Sequence, residues 1–105
     1  MRRNPHKRRL SMACLKDPCP DLHLVLFVRC GGHCWYCGCQ LKETSATIDH
    51  VLPIKRGGVT TLRNVVLACT HCNTSKADKT LEEFRVSVGA EKFWGEEKGL
   101  ICGTA

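Results

Sequence analysis

Cys34-Trp-Tyr-Cys37 and Cys69-Thr-His-Cys72 form two C-x-x-C pairs separated by 31 residues. Each pair presents two thiolates from one tight turn, which is half of a tetrahedral zinc shell, and two such turns complete it. A redox dithiol would account for one pair but poorly for two matched ones. A closed shell of four thiolates leaves no open position for substrate, so zinc held by Cys34, Cys37, Cys69 and Cys72 is expected to be structural. Cys30 and Cys39 are close enough in sequence to compete as ligands, but only Cys34 and Cys37 have the knuckle spacing followed by Gly38. Cys14, Cys19 and Cys102 have no legible pairing and are read as free thiols.

Between the pairs lies TIDHVLPIKRGG, residues 47–58. Thr47, Ile48, Val51 and Ile54 favour a β-strand, and Asp49 and His50 interrupt it with polar groups. Successive strand residues point to opposite faces, so the pair can serve two purposes at one edge. Gly57 and Gly58 let the backbone turn or permit close approach of another backbone. Lys55, Arg56 and Lys76 are candidate phosphate contacts, with solvated surface cations as the plain alternative.

These groups must be positioned by a small chain. One hundred and five residues make a single domain that buries only about 60 to 70% of its unfolded surface, so a staple is expected. The first strongly apolar run, LHLVLFV, starts at Leu22 and is too short to span a bilayer. With no signal-like segment in view, the sequence is read as intracellular, cytoplasmic, with reduced cysteines and no membrane partner. Of the net charge of +6, five positive charges lie in MRRNPHKRR. Residues 1–20 are accordingly read as a basic arm and connector, and residues 21–105 as the folded domain. Asp21 is expected to cap a helix to about Cys30, stopped by Gly31 and Gly32, although the apolar run alone would equally suit a strand. A strand around Ile48 follows the first knuckle, and NVVLAC forms a second strand. A helix is expected past the second knuckle, and the T-x-x-E box Thr80–Glu83 opens another that ends at Gly89. Phe93 and Trp94 are expected to pack back on the domain.

CWYCG, DHVLPIKRGG and LRNVVLACTHCNTSK together resemble the HNH endonuclease family, in its zinc-stapled form. There a C-x-x-C-G precedes a D-H-x-x-P strand, an Asn lies in the connecting segment, and C-x-x-C-[HN]-x-x-K opens the last helix. The motif core covers residues 34–76, about two fifths of the chain. The resemblance implies an α+β, ββα-metal fold: a two-stranded hairpin and a helix gripping one divalent ion, braced by the four-cysteine zinc site and flanking helices. It also implies His50 as general base, Asp49 as ligand of the catalytic ion, Asn64 as the residue steadying the loop and base, and Asn73 at the last position, where His is common.

The implied chemistry is consistent with the residue types. Neutral imidazole can take a proton from water near neutral pH. The Asp49 carboxylate and Asn73 amide oxygen are hard ligands suited to Mg²⁺ or Mn²⁺. His71 lies between the two zinc cysteines rather than after them and is read as part of the knuckle surface. The expected function is a metal-dependent endonuclease that nicks DNA as a monomer. The alternative is a zinc-stapled nucleic-acid-binding module without turnover, and a nuclease with a weakened metal site is a third reading. Oligomeric state, biological role and sequence specificity are not legible. If the arm seeks phosphate, deleting residues 1–9 should weaken DNA binding and flatten its salt dependence, measured by titration at several salt concentrations. An unchanged slope would show an inert arm.

Overall fold

A computed structural model describes residues 21–100. The basic arm and Cys14, Cys19 and Cys102 lie outside the described residues. The apolar run forms helix α1, Leu22–Arg29. Leu22, Leu26 and Cys30, four residues apart, lie on the core side, which is helical spacing. Asp21 takes the N-cap position, but its side chain makes no capping hydrogen bond. Gly31 and Gly32 follow with left-handed φ of 60° and 77° and end the helix as expected.

Strand β1, Thr47–His50, pairs antiparallel with β2, Val65–Ala68, in the register Thr47 with Ala68 and His50 with Val65. All four β2 residues are buried, which explains a continuous Val-Val-Leu-Ala run without polar alternation. Helix α1 packs on β2, and helix α2, Thr70–Lys76, packs on β1. Two strands followed at once by a helix give the ββα arrangement, within an α+β fold.

Helix α2 begins earlier than the sequence reading placed it. Cys69 is its N-cap, and its Sγ accepts the Cys72 backbone N–H at 3.3 Å. The thiol takes the role of a serine hydroxyl at a helix start, so the second knuckle is itself the first helical turn. Helix α3, Leu81–Val88, has the expected reciprocal capping box between Thr80 and Glu83 and stops at left-handed Gly89. The short α4, Trp94–Glu97, returns the aromatics to the core. Tyr36, Phe84 and Phe93 form a mutual cluster with ring centroids 5.1–5.4 Å apart. Arg85 of α3 grips Glu96 of α4 with both guanidinium ends and covers the Phe93 ring. The C-terminal helices thereby fix Tyr36 from outside. Among the described residues no helix is long and apolar enough to cross a membrane.

The first knuckle is pinned to the sheet by Trp35 N–H donating to the Leu67 carbonyl at 2.8 Å. Beyond β1 the chain passes through a single 3₁₀ turn, Ile54–Arg56, into a loop that returns to β2. Two adjacent glycines here have different duties. Gly57 is left-handed at φ 97°, with open space where a Cβ would stand, whereas a Cβ on Gly58 would lie 1.7 Å from the Leu52 carbonyl oxygen. The close approach at Gly58 is thus to the protein's own backbone. Gly57→Ala should cost about 1–2 kcal/mol from left-handed strain alone. Gly58→Ala should cost more, because the Leu52 carbonyl cannot yield without opening the turn. Urea unfolding of the zinc-loaded variants checks the order, and equal losses would contradict it.

Candidate active site

The four thiols of Cys34, Cys37, Cys69 and Cys72 lie within 4.8 Å of one another, and Cys37 Sγ is 3.9 Å from Cys69 Sγ. A tetrahedral shell with Zn–S of about 2.3 Å has S···S edges of about 3.8 Å, so the donors fit a soft divalent ion. Their electrostatics point the same way. Burial and the neighbouring thiols push Cys72 well above the ordinary thiol range. At Cys69 burial also opposes ionisation, but the Cys72 backbone and side chain and the other thiols outweigh it and bring the pKa down to about 7. Such a group cannot hold four negative charges together without a cation among them. Cys30 is buried and its thiol is raised by burial, while Cys39 is pushed up to about 12 by burial and by Cys37 and Cys69. Neither joins the four-sulfur group.

Strand β1 presents its polar pair to a cleft of about 390 Å³ lined by Asp49, His50, Lys55, Asn73 and Asp78 among others. Asp49 is only 5% exposed. Its Oδ2 accepts the Tyr36 hydroxyl and lies 3.3 Å from Lys76 Nζ. Its Oδ1 makes no hydrogen bond among the described residues. Burial raises the Asp49 pKa above the usual carboxylate range, and the Tyr36 hydroxyl and Lys76 ammonium act against that rise. Lys76 also donates to the His50 carbonyl at 2.8 Å, so one buried ammonium grips both residues of the Asp-His pair.

Asn73 enters the cleft from the first turns of α2. Its amide polarity is set by a chain of bonds: Thr47 Oγ1 donates to the Ala68 carbonyl at 2.8 Å and therefore accepts from Asn73 Nδ2 at 3.0 Å. That leaves Asn73 Oδ1, a hard oxygen donor, for the cleft. The carboxylate of Asp49 and the amide oxygen of Asn73 are both hard oxygen donors lining this cleft.

His50 is half-buried, and its Nε2 is 2.8 Å from Thr60 Oγ1. Asn64 is not part of the cleft lining. Its Oδ1 accepts Leu52 N–H at 2.9 Å, and its Nδ2 donates to the carbonyls of Leu52 and Val59 at 3.0 and 2.9 Å. Asn64 clamps both ends of the loop beside His50 and reaches the imidazole only indirectly.

The three expected phosphate contacts separate. Lys55 and Arg56 are exposed but paired, Lys55 with Asp78 at 3.2 Å and Arg56 with Glu83 at 3.1 Å. Lys76 has no exposed surface, so its expected place among the phosphate contacts is corrected: its ammonium is spent inside, on Asp49 and the His50 carbonyl. His71 is exposed and lines a different cleft beside Tyr36 and Phe84. The sequence reading missed Tyr36, Thr47 and Thr60. Tyr36 lies inside the first cysteine knuckle and reads as core, and the two threonines carry no motif; only α2 packing and loop closure reveal their partners.

Residues 34–79 match the HNH endonuclease family model. Among solved structures, the chain is similar to the Type II-C Cas9 enzyme from Actinomyces naeslundii, with a TM-score of 0.58 and 24% identity over 69% of this chain and 8% of that one. At that identity the likeness bears on fold. No curated protein matches the chain at a significant level.

The buried pair predicts a coupled stability effect. Lys76→Met leaves the Asp49 carboxylate without its cation and should destabilise the protein by about 3–5 kcal/mol. The double variant Asp49→Asn, Lys76→Met should lose much less than the sum of the singles in urea unfolding. Additive losses would show that the pair contributes no coupling.

Proposed function

With residues 34–79 matching the HNH endonuclease family, we propose that this protein is a metal-dependent endonuclease that hydrolyses phosphodiester bonds in DNA, nicking one strand as a monomer. The observation that carries this reading is the meeting of His50, Asp49 and Asn73 in one cleft, with Asp49 Oδ1 and Asn73 Oδ1 accepting no hydrogen bond from the described residues. A surface that only bound nucleic acid would not require a carboxylate held in place by a buried ammonium and a tyrosine.

Cys34, Cys37, Cys69 and Cys72 hold a structural zinc in this reading, tying the first knuckle to the start of α2. Asp49 and Asn73 would hold Mg²⁺ or Mn²⁺, which would supply charge stabilisation for the phosphoryl oxygens and the departing oxygen. His50 takes a proton from the attacking water. Tyr36 and Lys76 orient Asp49 and oppose the rise in its pKa that burial causes, and Thr47 keeps the Asn73 oxygen turned to the cleft. By family resemblance the products are 5′-phosphate and 3′-hydroxyl ends. Lys55 lines the cleft and Arg56 follows it in the chain, and for a phosphate to recruit them it must displace Asp78 and Glu83. Exposed ion pairs of this kind are weak, about 0–1 kcal/mol each, so the exchange is inexpensive.

Nicking of supercoiled plasmid by the zinc-loaded protein tests the proposal. Open-circle product should require added Mg²⁺ or Mn²⁺ and fall by about 10²–10⁴-fold in His50→Ala. Equal background from both proteins, with DNA still bound, would favour the zinc-stapled nucleic-acid-binding module instead.

A further inference from the structure

Imidazole can act as a base at only one nitrogen at a time, and its two nitrogens have different surroundings here. His50 Nε2 is within hydrogen-bond distance of the Thr60 hydroxyl, at 2.8 Å. A hydroxyl can donate or accept. If Thr60 donated its proton to Nε2, the ring proton would have to sit on Nδ1, and neither nitrogen could accept one from water. If Nε2–H donates to Thr60 Oγ1, the Nδ1 lone pair stays open. Only the second arrangement is compatible with a general base.

The placement of Thr60 is secured by the loop that carries it. The carbonyl of the preceding residue, Val59, accepts from Asn64 Nδ2 at 2.9 Å, and the Asn64 backbone N–H donates to the Thr61 carbonyl at 2.9 Å. Arg29 at the end of α1 donates to the Leu62 carbonyl at 3.1 Å. The Gly58 N–H closes the near end of the loop on the Pro53 carbonyl at 2.9 Å. Thr60 is therefore bracketed on both sides, and the opposite edge of His50 is anchored by its strand carbonyl on Lys76.

We propose that Thr60 is a positioning residue that accepts the Nε2 proton of His50, fixing the imidazole so that Nδ1 takes the proton from water, and that Asn64 influences the base through Thr60. This rests on the nuclease reading above. A hydroxyl-to-imidazole bond at an exposed position competes with water, so the gain comes from the loop holding the hydroxyl in place before substrate arrives.

The test is plasmid nicking by wild type, Thr60→Val and Thr60→Ser, combined with two-bond ¹⁵N–¹H spectra of the neutral histidine rings, with the His50 signal assigned through His50→Ala. Thr60→Val should lower kcat by about tenfold, in line with loss of one oriented hydrogen bond, with KM nearly unchanged. Thr60→Ser should recover most of that rate, and the wild-type spectrum should show His50 with its proton on Nε2 alone. Full activity in Thr60→Val, failure of serine to restore the rate, or a proton on Nδ1 in the wild type would each overturn the assignment. If the wild type does not nick at all, the nuclease reading fails, and the His50 spectrum still decides whether Thr60 sets the tautomer.

Discussion

A lysine with no exposed surface is the constraint around which the site is arranged. Removing an ammonium from water is costly unless it is paired with an opposite charge and hydrogen-bonded. Lys76 meets that requirement with the Asp49 carboxylate and the His50 carbonyl. Because Lys76 belongs to α2 and its acceptors to β1, satisfying it fixes the distance and rotation of the helix against the strand. The same contact holds the Asp49 side chain against the helix and ties His50 to it through the backbone carbonyl. Tyr36 completes the carboxylate's environment, and its position is set in turn by the first knuckle and by the Phe84 and Phe93 rings. Site geometry and aromatic core are therefore one connected structure.

The sulfur cluster supports this arrangement from the other end of α2. Cys69 caps the helix while Cys72 lies in its first turn, so the helix start and the knuckle share residues. The first knuckle is joined to β2 by Trp35. A divalent ion among the four sulfurs would hold together two segments distant in sequence, which matters in a domain whose sheet, among the described residues, has two strands. The loop between the strands has no such staple. It is closed by backbone contacts at Gly58 and by the side chain of Asn64, which uses its amide as a short bridge across the loop.

Charge is distributed unevenly over this frame. The cations beside the cleft are balanced locally by Asp78 and Glu83, while much of the excess positive charge lies in the first nine residues. In the proposed function, long-range attraction to a polyanion and local organisation of the cleft are thus separate tasks. Rearranging exposed pairs changes little in stability, whereas the buried Lys76 pair cannot be rearranged without moving α2.

The sequence by itself determined the ββα order, the four-cysteine set and the caps at Thr80 and Gly89, because each depends on spacing or on residue-specific backbone chemistry within a few positions. It also singled out Asp49, His50, Asn64 and Asn73, which the fold places at the cleft or at the loop beside it. The start of α2 was misplaced because a cysteine in the N-cap position was read only as a ligand. The duties of Lys76, Tyr36, Thr47 and Thr60 were decided by tertiary structure alone. A lysine on a predicted helix looks like a surface cation until the strand beneath it supplies acceptors, and a threonine hydroxyl has no assignable partner until the strands and loop are closed. Local pattern specifies which elements form; the polarity of the side chains between them depends on contacts made across 10 or more positions of sequence.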